Sequence, residues 1–336
     1  MNHSKQADMA IKPIIILLVG LALASVHLVD AQPLKKVHRI AILSASYASS
    51  RSINVQAFRL ALHELGYMEG KDIHIEHRNA EGKLERLSEL AAELVRLKVD
   101  VIVTTDSQGT QVSGKATQTI PIVMTQVGDA VGAGIVESLA RPGGNITGLT
   151  QMQPEISGKR LELLRETFPK VSRVTVLHDP TSRSNLLGLK EIQTVARSLG
   201  LIVQPREVRG PEDVDGAFSA MARERGDALM TIRNPLVGGI HLKRIVELAA
   251  KSRLPAMYDG RDFVEVGGLM SYAANFTEMW RRAAIYVDKI LKGRKPADLP
   301  VEQPTKFEFI INLKAAKQFG LTIPPNVLVR ADRVIK

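Results

Sequence analysis

Apolar residues along the chain fall into short, nearly continuous runs that are separated by longer amphipathic stretches. Four runs in the first half read RIAIL (39–43), KDIHIEHR (71–78), VDVIVTT (99–105) and TIPIVMT (119–125). A second series follows about 130 residues later, with RVTVL (173–177), LIVQPREV (201–208), GDALMTI (226–232) and RLPAMYD (253–259). Continuous apolar runs of this length are typical of strands that are covered on both faces of a sheet.

The stretches between the runs carry helical periodicity. Val55, Phe58, Leu62 and Leu65 recur at the spacing of one helix face, and Gly66 ends that pattern. Similar patterns occupy residues 84–95, 189–199 and 245–249. Regular alternation of strands and helices predicts an α/β fold with parallel sheets flanked by helices. Because the series occurs twice, the sequence predicts two similar α/β lobes with a cleft between them, where small ligands bind.

Two glycine-rich segments interrupt this alternation, RPGGNITGLTQ (141–151) and EVGGLMSYAAN (265–275). We interpret each as a crossover between the lobes, since paired glycines accept the backbone angles of a hinge; ordinary turns are the alternative. In the first segment, the Gly-Gly-Asn turn is predicted to end a short helix before ITGLT forms a strand.

The remaining pattern predicts helices over 156–168 and 279–291, a proline-rich connector GRKPADLPVEQP (293–304), a strand FEFIINL (307–313) and a short helix KAAKQFG (314–320). These elements imply that the chain crosses between the lobes three times, so that each lobe is built from two separate segments of the chain. We expect lobe 1 to comprise 37–150 plus 273–299, and lobe 2 to comprise 151–272 plus 300–336.

The first 31 residues resemble a secretion signal. Lys5 and Lys12 flank an apolar run of 11 residues (14–24), and Val29-Asp30-Ala31 predicts cleavage before Gln32. The run is shorter than the roughly 20 residues that span a bilayer, although an uncleaved membrane anchor is the alternative. The chain has no cysteine, which excludes lipidation at a cysteine and disulfide bonds. We therefore expect a periplasmic protein without a lipid anchor.

Composition changes this interpretation little. With 336 residues, 45% hydrophobic and 24% charged, the chain is long enough for two globular domains. Its net charge of +10 survives removal of residues 1–31, which contain two basic and two acidic residues. Basic residues are interleaved with acids, and aromatic residues make up only 4% of the chain, so a solvated surface is favoured over nucleic-acid binding. We predict a monomer with no nucleic-acid partner.

Several long motifs resemble one family. They are SLARPGGNITGL, GKRLELLRE, GGLMSY, RRAAIYVDKILKG, KPADLPVEQPTKFEFIINLKAAKQFGLTIPP and the final RADRVIK. From about Val37 to the C-terminus, the chain resembles the tryptophan-binding-like group of ABC transporter substrate-binding proteins. This resemblance implies a type I periplasmic binding fold, in which two Rossmann-like lobes are joined by a three-crossover hinge. It also implies a small solute in the cleft, an ABC permease in the inner membrane as partner, no cofactor and no catalysis.

The chain departs from the family pattern near the expected cleft. It reads DAVG (129–132) where relatives usually have Asp-Pro-Val-Gly, and Ala273 stands where they usually have glycine. The helix after VDVIVTT begins with the polar stretch SQGTQVSGKATQ (107–118) instead of an Ala-rich one. The resemblance therefore implies the role of the protein and leaves the ligand open between amino acid, peptide-like and aromatic carboxylate; an amino acid or related carboxylate is our expectation.

Ligands of parallel α/β sheets lie beyond the carboxyl ends of the strands, where helix N-termini offer free N–H groups. That rule selects these candidate ligand-binding residues: Ser46, Tyr47, Thr105, Ser107, Asp129, Asp179, Ser184, Arg233, Asn234 and Tyr258. Ser44, Asp106, Gln126, Thr181, Ser182 and Asp259 occupy further strand ends. Helix capping is the alternative role of the Ser, Thr and Asp residues among them.

Specific roles follow from the side-chain chemistry. Thr105 and Ser107 are expected to take a carboxylate, which Arg233 is expected to clamp unless it pairs with an acid of the protein. Asp129 or Asp179 is expected to pair with an amine. Tyr47 and Tyr258 are expected to form flat apolar walls with a polar tip.

Enzyme and sensor functions are the alternatives. Gly128, Gly132 and Gly134 lack the G-x-G-x-x-G spacing of dinucleotide sites, and no G-x-S-x-G nucleophile motif is present. His74 and His77 face opposite sides of a predicted strand and cannot converge on a metal, so we predict neither a metal site nor catalytic residues. A ligand-sensing partner of a membrane receptor remains the second hypothesis, whereas a repressor would need a DNA-reading domain before the first lobe.

Overall fold

The computed structural model describes residues 36–46 and 52–336. The predicted signal sequence (1–31) and Tyr47 lie outside the described residues. Within the described part, no helix combines the length and the apolar character needed to cross a membrane.

The first half of the chain forms a five-stranded sheet in the order β2-β1-β3-β4-β5, with every pairing parallel. Its strands are β1 His38–Ser44, β2 Ile73–Asn79, β3 Val101–Thr104, β4 Ile122–Val127 and β5 Ile146–Thr150. Its helices are α1 Ile53–Glu64, α2 Leu87–Arg96, which a 3-10 turn Leu84–Arg86 precedes, and α3 Ser107–Ala116. We call this sheet and the helices packed on it the first lobe.

The rest of the chain forms a seven-stranded sheet in the order β12-β11-β10-β9-β8-β6-β7, which we call the second lobe together with its helices. Its strands are β6 Arg173–His178, β7 Ile202–Glu207, β8 Ala228–Thr231, β9 Ala256–Tyr258, β10 Met270–Ala274, β11 Phe307–Asn312 and β12 Arg333–Ile335. The helices in this part of the sequence are α4 Gln153–Thr167, α5 Arg183–Leu199, α6 Pro211–Arg223, α7 Leu242–Lys251, α8 Arg261–Glu265, α9 Phe276–Leu291, α10 Leu313–Phe319 and α11 Pro325–Leu328. A π-helical turn Leu236–Ile240 and a 3-10 turn Pro296–Asp298 complete the series.

The predicted fold class is confirmed, because both lobes are predominantly parallel sheets flanked by helices and each predicted strand forms. Two details differ from the prediction. Strand β11 runs antiparallel to β10, since it enters the sheet after the chain has returned from the first lobe. The short helix predicted before Arg141 is absent, and residues 130–140 form turns and bends instead. Gly132 N donates to the Asp129 carboxylate (2.8 Å) and Ala133 N donates to Asp129 O (3.0 Å), and these two hydrogen bonds hold that loop.

Helix α9 follows β10 of the second lobe in sequence but packs in the core of the first lobe. The Trp280 ring meets the Phe58 ring of α1 edge to face, with centroids 5.9 Å apart. Tyr67 donates its hydroxyl to Asp288 at 3.0 Å. Further along, Glu302 N donates to Gly148 O of β5 at 2.9 Å. The segment from α9 to Glu302 therefore closes over the first sheet before the chain returns to β11.

Candidate ligand-binding site

A cavity of about 280 Å³ lies between the two lobes at the carboxyl ends of their central strands. The first lobe borders it with Ser46, Ser52, Asn54, Thr105, Asp106, Ser107, Gln108, Gln126 and Gly128. The second lobe borders it with Ser182, Asn185, Arg233, Asn234, Pro235, Gly238, Gly239, Leu242 and Asp262. Gln151, Gln153 and Trp280, which follow the chain crossings, complete the border. Polar side chains dominate all three groups.

Asp106 organises the first-lobe wall. It is the N-cap of α3, where its carboxylate accepts hydrogen bonds from Gly109 N at 2.6 Å and from Ala45 N at 3.0 Å. Thr105 donates its hydroxyl to the same carboxylate at 2.9 Å. Burial raises the pKa of Asp106, although these three hydrogen bonds act in the opposite direction. Asp106 thus joins the ends of β1 and β3 and fixes the start of the helix whose N–H groups face the cleft.

Two asparagines organise the second-lobe wall. Asn185 donates its amide to Arg233 O at 2.9 Å, and its amide oxygen accepts from Asp179 N at 3.0 Å and from Asn234 at 3.2 Å. The amide oxygen of Asn234 accepts from Leu236 N and Val237 N, each at 2.9 Å. The loops after β6 and β8 are therefore held together by amides whose hydrogen-bonding capacity is used within the protein.

Arg233 contributes the charge on the second-lobe wall, and it is already paired. Its guanidinium contacts Asp262 at 2.7 Å and Asp259 at 3.3 Å, and it lies over the Phe276 ring at 4.6 Å from the centroid. Burial opposes the positive charge, but the two carboxylates outweigh burial and raise the pKa of Arg233. Asp262 keeps 34% of its side chain exposed, whereas Asp259 is fully buried. The accessible part of this cluster is thus an Arg233–Asp262 ion pair that borders the cavity.

The lobes also contact each other directly. Gln108 of α3 donates its amide to Asp179 at 3.0 Å, which links the first lobe to the loop after β6. Gly239 lies against Ser46 so closely that a Cβ built on the glycine would be 2.6 Å from the Cβ of Ser46. The structure therefore has the two lobes in contact around the cavity.

Five of the ten predicted residues border the cavity, namely Ser46, Thr105, Ser107, Arg233 and Asn234. Two of them already use their hydrogen-bonding groups within the protein: Thr105 donates to Asp106, and the amide of Asn234 is bonded within its own lobe. Ser107 accepts a hydrogen bond from Gly128 N at 3.4 Å and so keeps its own hydroxyl proton for a further acceptor.

Four predicted residues lie elsewhere, and their expected roles need correction. Tyr258 is 1% exposed and stacks on Phe263 with centroids 4.6 Å apart, because β9 is covered on both faces and its ring points into the core. Burial also raises the pKa of Tyr258 above its ordinary value, so its hydroxyl stays protonated. Asp129 caps its own loop instead of facing the cavity.

Asp179 is 2% exposed, and both of its carboxylate oxygens accept from protein donors, Thr181 on one side and Gln108 on the other. It therefore joins the lobes and does not present itself to an amine. Ser184 is 1% exposed and lies behind Gly128, which borders the cavity, whereas Ser184 itself does not.

Several bordering residues were not among the ten candidates. Gln126 lies at a strand end, which the strand-end rule did indicate, whereas Gln151 follows the first crossing. Asn54 lies on α1, and Trp280 lies on α9, which the chain brings back to the first lobe; no strand-end pattern marks either residue. The sequence signal for Asp262 was its position directly after the β9 strand end, within the first turn of α8.

The fold and the cavity define a two-lobe binding protein of the type I periplasmic class. Comparison with known proteins agrees: the family model described as ABC transporter substrate binding protein matches residues 39–335. The chain belongs to this family, whose members bind solutes and are not enzymes.

Three relatives illustrate the likeness. A protein from Clostridioides difficile (strain R20291), named tyrosine-binding protein, is 25% identical over 284 residues, which cover 84% of this chain and 81% of that protein. A conserved domain protein from Vibrio cholerae has a crystal structure with a TM-score of 0.83, at 28% identity over 89% of this chain and 100% of that chain. The ABC domain from Streptococcus pneumoniae in complex with L-Trp has a TM-score of 0.82, at 27% identity over 89% of this chain and 100% of that chain.

Proposed function

We propose that the protein is the extracytoplasmic solute-binding component of an ABC importer, and that it captures an amino acid or a related carboxylate in the cavity between its lobes. The observation that carries this proposal is the Arg233–Asp262 ion pair at the border of that cavity. A guanidinium and a carboxylate side by side complement a zwitterion, since Arg233 donates to the carboxylate of the solute and Asp262 accepts from its ammonium group.

Two of the relatives support an amino acid as the solute, because one is named for tyrosine and the other is described with L-Trp. A solute that contacts both lobes stabilises the closed arrangement by its higher affinity for that state. The closed protein then delivers the solute to a permease in the inner membrane.

Processing and location are part of the proposal. Residues 1–31 act as a signal peptide that is cleaved before Gln32, and the mature protein is a periplasmic monomer without a lipid anchor or nucleic-acid partner. The absence of cysteine from the sequence supports the lack of a lipid anchor. N-terminal sequencing of the protein from a periplasmic extract tests this: Gln32 as the first residue is expected, and an intact N-terminus in the membrane fraction would favour the anchor.

We also propose that the polypeptide passes from one lobe to the other close to the predicted boundaries at 150, 273 and 299. Strand β5 ends at Thr150, β10 ends at Ala274, and Glu302 is the last residue of its segment to bond with β5. These contacts favour crossings after Thr150, Ala274 and Glu302. Limited proteolysis of the ligand-free protein is expected to cut near these positions first.

The experiment that tests the function begins with a thermal-shift screen of the mature protein against the twenty amino acids and a set of organic acids. For the best amino acid, titration calorimetry is repeated with its 2-hydroxy acid analogue, which lacks the ammonium group. Asp262→Asn is expected to weaken binding of the amino acid by about 10- to 100-fold, the range for a hydrogen bond to a charged group. Binding of the 2-hydroxy acid should change by less than about threefold, because that analogue has no ammonium group for Asp262 to contact.

Asp215→Asn provides the matched control, since Asp215 forms an exposed pair with Arg244 at 2.5 Å on the outer surface. Its affinity should equal that of the wild type. The proposed function is wrong if neither an amino acid nor an organic acid raises the melting temperature.

A further inference from the structure

Gln126 is a cavity residue whose side chain makes no hydrogen bond to any described part of the protein. Its amide nitrogen is buried without an acceptor, while the residue as a whole is only partly buried. The backbone explains this position: the register between β4 and β5 shifts between Met124 and Val127, so Gln126 lies in a bulge. Gln151 donates to the Gln126 carbonyl at 2.7 Å, which satisfies the bulged backbone. Bulges commonly redirect a side chain towards a site.

Two further amides at the cavity also have free hydrogen-bonding groups, in addition to the Ser107 hydroxyl described above. Asn54 accepts from Thr277 at 3.0 Å through its oxygen, and its amide nitrogen has no acceptor in the described structure. Gln151 uses its amide nitrogen on the Gln126 carbonyl, and no described donor reaches its amide oxygen. The charged groups are different, because Asp106 caps α3 and Arg233 pairs with Asp262.

An amide that is buried against an apolar group loses its hydrogen bonds to water and gains none, which weakens binding by about 5- to 150-fold. A site with unmet hydrogen-bonding groups therefore discriminates strongly against a ligand that lacks the matching group. Among the described residues that border the cavity, only Pro235, Leu242 and Trp280 are apolar apart from the glycines. The cavity thus offers a neutral polar surface to the part of the solute beyond its charged groups.

We propose that the cavity selects amino acids whose neutral side chain carries a hydroxyl or a carboxamide, and that Gln126 is the specificity-determining residue. This inference rests on the proposed function and names its substrate class. Gln126 donates to and accepts from the side chain of the solute, and Asn54 and Gln151 add a donor and an acceptor. The Arg233–Asp262 pair holds the charged end.

The test uses pairs of amino acids that have similar shape and differ in the hydrogen-bonding group: L-threonine with L-valine, L-glutamine with L-methionine, L-asparagine with L-leucine and L-tyrosine with L-phenylalanine. Calorimetric affinities are measured for the wild type and for Gln126→Met. In the pair that binds most tightly, the wild type should favour the polar member by at least about tenfold. Gln126→Met should reduce that ratio to about threefold or less.

Gln193→Met is the matched control, since Gln193 is exposed on α5 and does not border the cavity. It should keep the wild-type ratio. Because the Gln126 side chain bonds to no described protein group, Gln126→Met should melt at the wild-type temperature or above. The affinity ratios of the wild-type protein also test the inference without any variant. The inference is overturned if the apolar member of the tightest pair binds equally well, or if Gln126→Met keeps the preference. Those outcomes, like binding of an organic acid but of no amino acid, leave the proposed function intact, whereas failure of every amino acid and organic acid to bind would overturn the function itself.

Discussion

Gln108 and Asp179 join the two lobes through one hydrogen bond, in which the Gln108 amide donates to the Asp179 carboxylate at 3.0 Å. Gln108 lies in the first turn of α3, and Asp179 follows β6 directly. Thr181 N and the Thr181 hydroxyl hold the other carboxylate oxygen at 2.8 and 2.7 Å, so the acceptor is fixed before the lobes meet. A bond of this kind exists only while the lobes are in contact.

Gln108→Met is therefore expected to weaken ligand binding by about three- to tenfold, the value of one hydrogen bond whose donor, the Gln108 amide, is only partly buried. The loss should appear mainly as faster dissociation, because the bond forms after the solute has entered. Surface plasmon resonance with the best solute of the screen measures both rates. Gln111→Met, on the exposed face of the same helix, should bind like the wild type; unchanged dissociation in Gln108→Met would contradict the prediction.

Closure also depends on the absence of a side chain at Gly239. A Cβ at this position would lie 2.6 Å from the Cβ of Ser46 in the opposite lobe, which is closer than two non-bonded carbon atoms approach each other. We expect Gly239→Ala to hold the lobes apart and to weaken binding by about tenfold or more, since overpacking typically costs 1–3 kcal/mol. Small-angle scattering of the solute-bound protein should then show a larger radius of gyration than for the wild type.

Ser46→Gly offers a rescue, because it removes the atoms that the new methyl group meets. The double variant should recover the compact scattering profile, and its affinity should approach that of Ser46→Gly alone. If the double variant is as open as Gly239→Ala, the contact with Ser46 does not limit closure.

The sequence was sufficient to predict the lobes because their strands are apolar on both faces and recur in the same order. It also located the carboxyl ends of the strands, which placed Thr105 and Arg233 at the cavity border. Tyr258 occupies an equivalent strand end, yet its ring stacks on Phe263 in the core. A strand-end rule cannot separate these cases, since the direction of a side chain depends on how the following helix packs.

Other site residues depend on contacts between distant segments. Trp280 reaches the cavity because α9 returns to the first lobe and packs against Phe58, more than 200 residues earlier in the chain. Asp179 was expected to bind an amine, but its partner is Gln108 of the other lobe. Neither relationship has a local pattern, so only the folded structure reveals it.

Gly148 of β5 is required for the first crossing strand to lie against β4. Its φ is +124°, and a Cβ there would lie 2.2 Å from the carbonyl oxygen of Met124. Gly148→Ala is therefore expected to destabilise the protein by about 2–4 kcal/mol, since backbone strain and steric overlap add. Urea unfolding monitored by circular dichroism measures the change in the free energy of unfolding.

Gly216 is the matched control for that substitution. It lies exposed in α6 with no atom within 4 Å of a built Cβ, so Gly216→Ala should stabilise the protein by about 0.5–1 kcal/mol. Opposite signs for the two Gly→Ala changes are the expected result. Equal effects would show that β5 relaxes around the methyl group.

Stability should fall as the pH is lowered from 7.5 to 5.5 because His178 is buried at the end of β6. The residue is 3% exposed and its Nδ1 has no partner among the described groups. Burial lowers the pKa of His178, although the nearby Glu207 and Asp179 partly oppose this effect. The unfolded chain, whose histidine titrates near pH 6.5, then binds the proton more readily than the folded protein.

Because of this difference, the contribution of His178 to the free energy of unfolding is fully present above about pH 6.5. It is lost as the pH falls towards the pKa of His178 in the folded protein. Glu and Asp side chains ordinarily titrate below this range, but burial raises the pKa of Asp106, so the effect of His178 is isolated by comparing His178→Asn with the wild type. Burial also lowers the pKa of His241 and His77, so His178→Asn should reduce the slope of melting temperature against pH without abolishing it. His63→Asn, a change at an exposed histidine of α1, should leave the slope as in the wild type. A slope that is equally steep in His178→Asn would mean that His178 is not protonated on unfolding in this range.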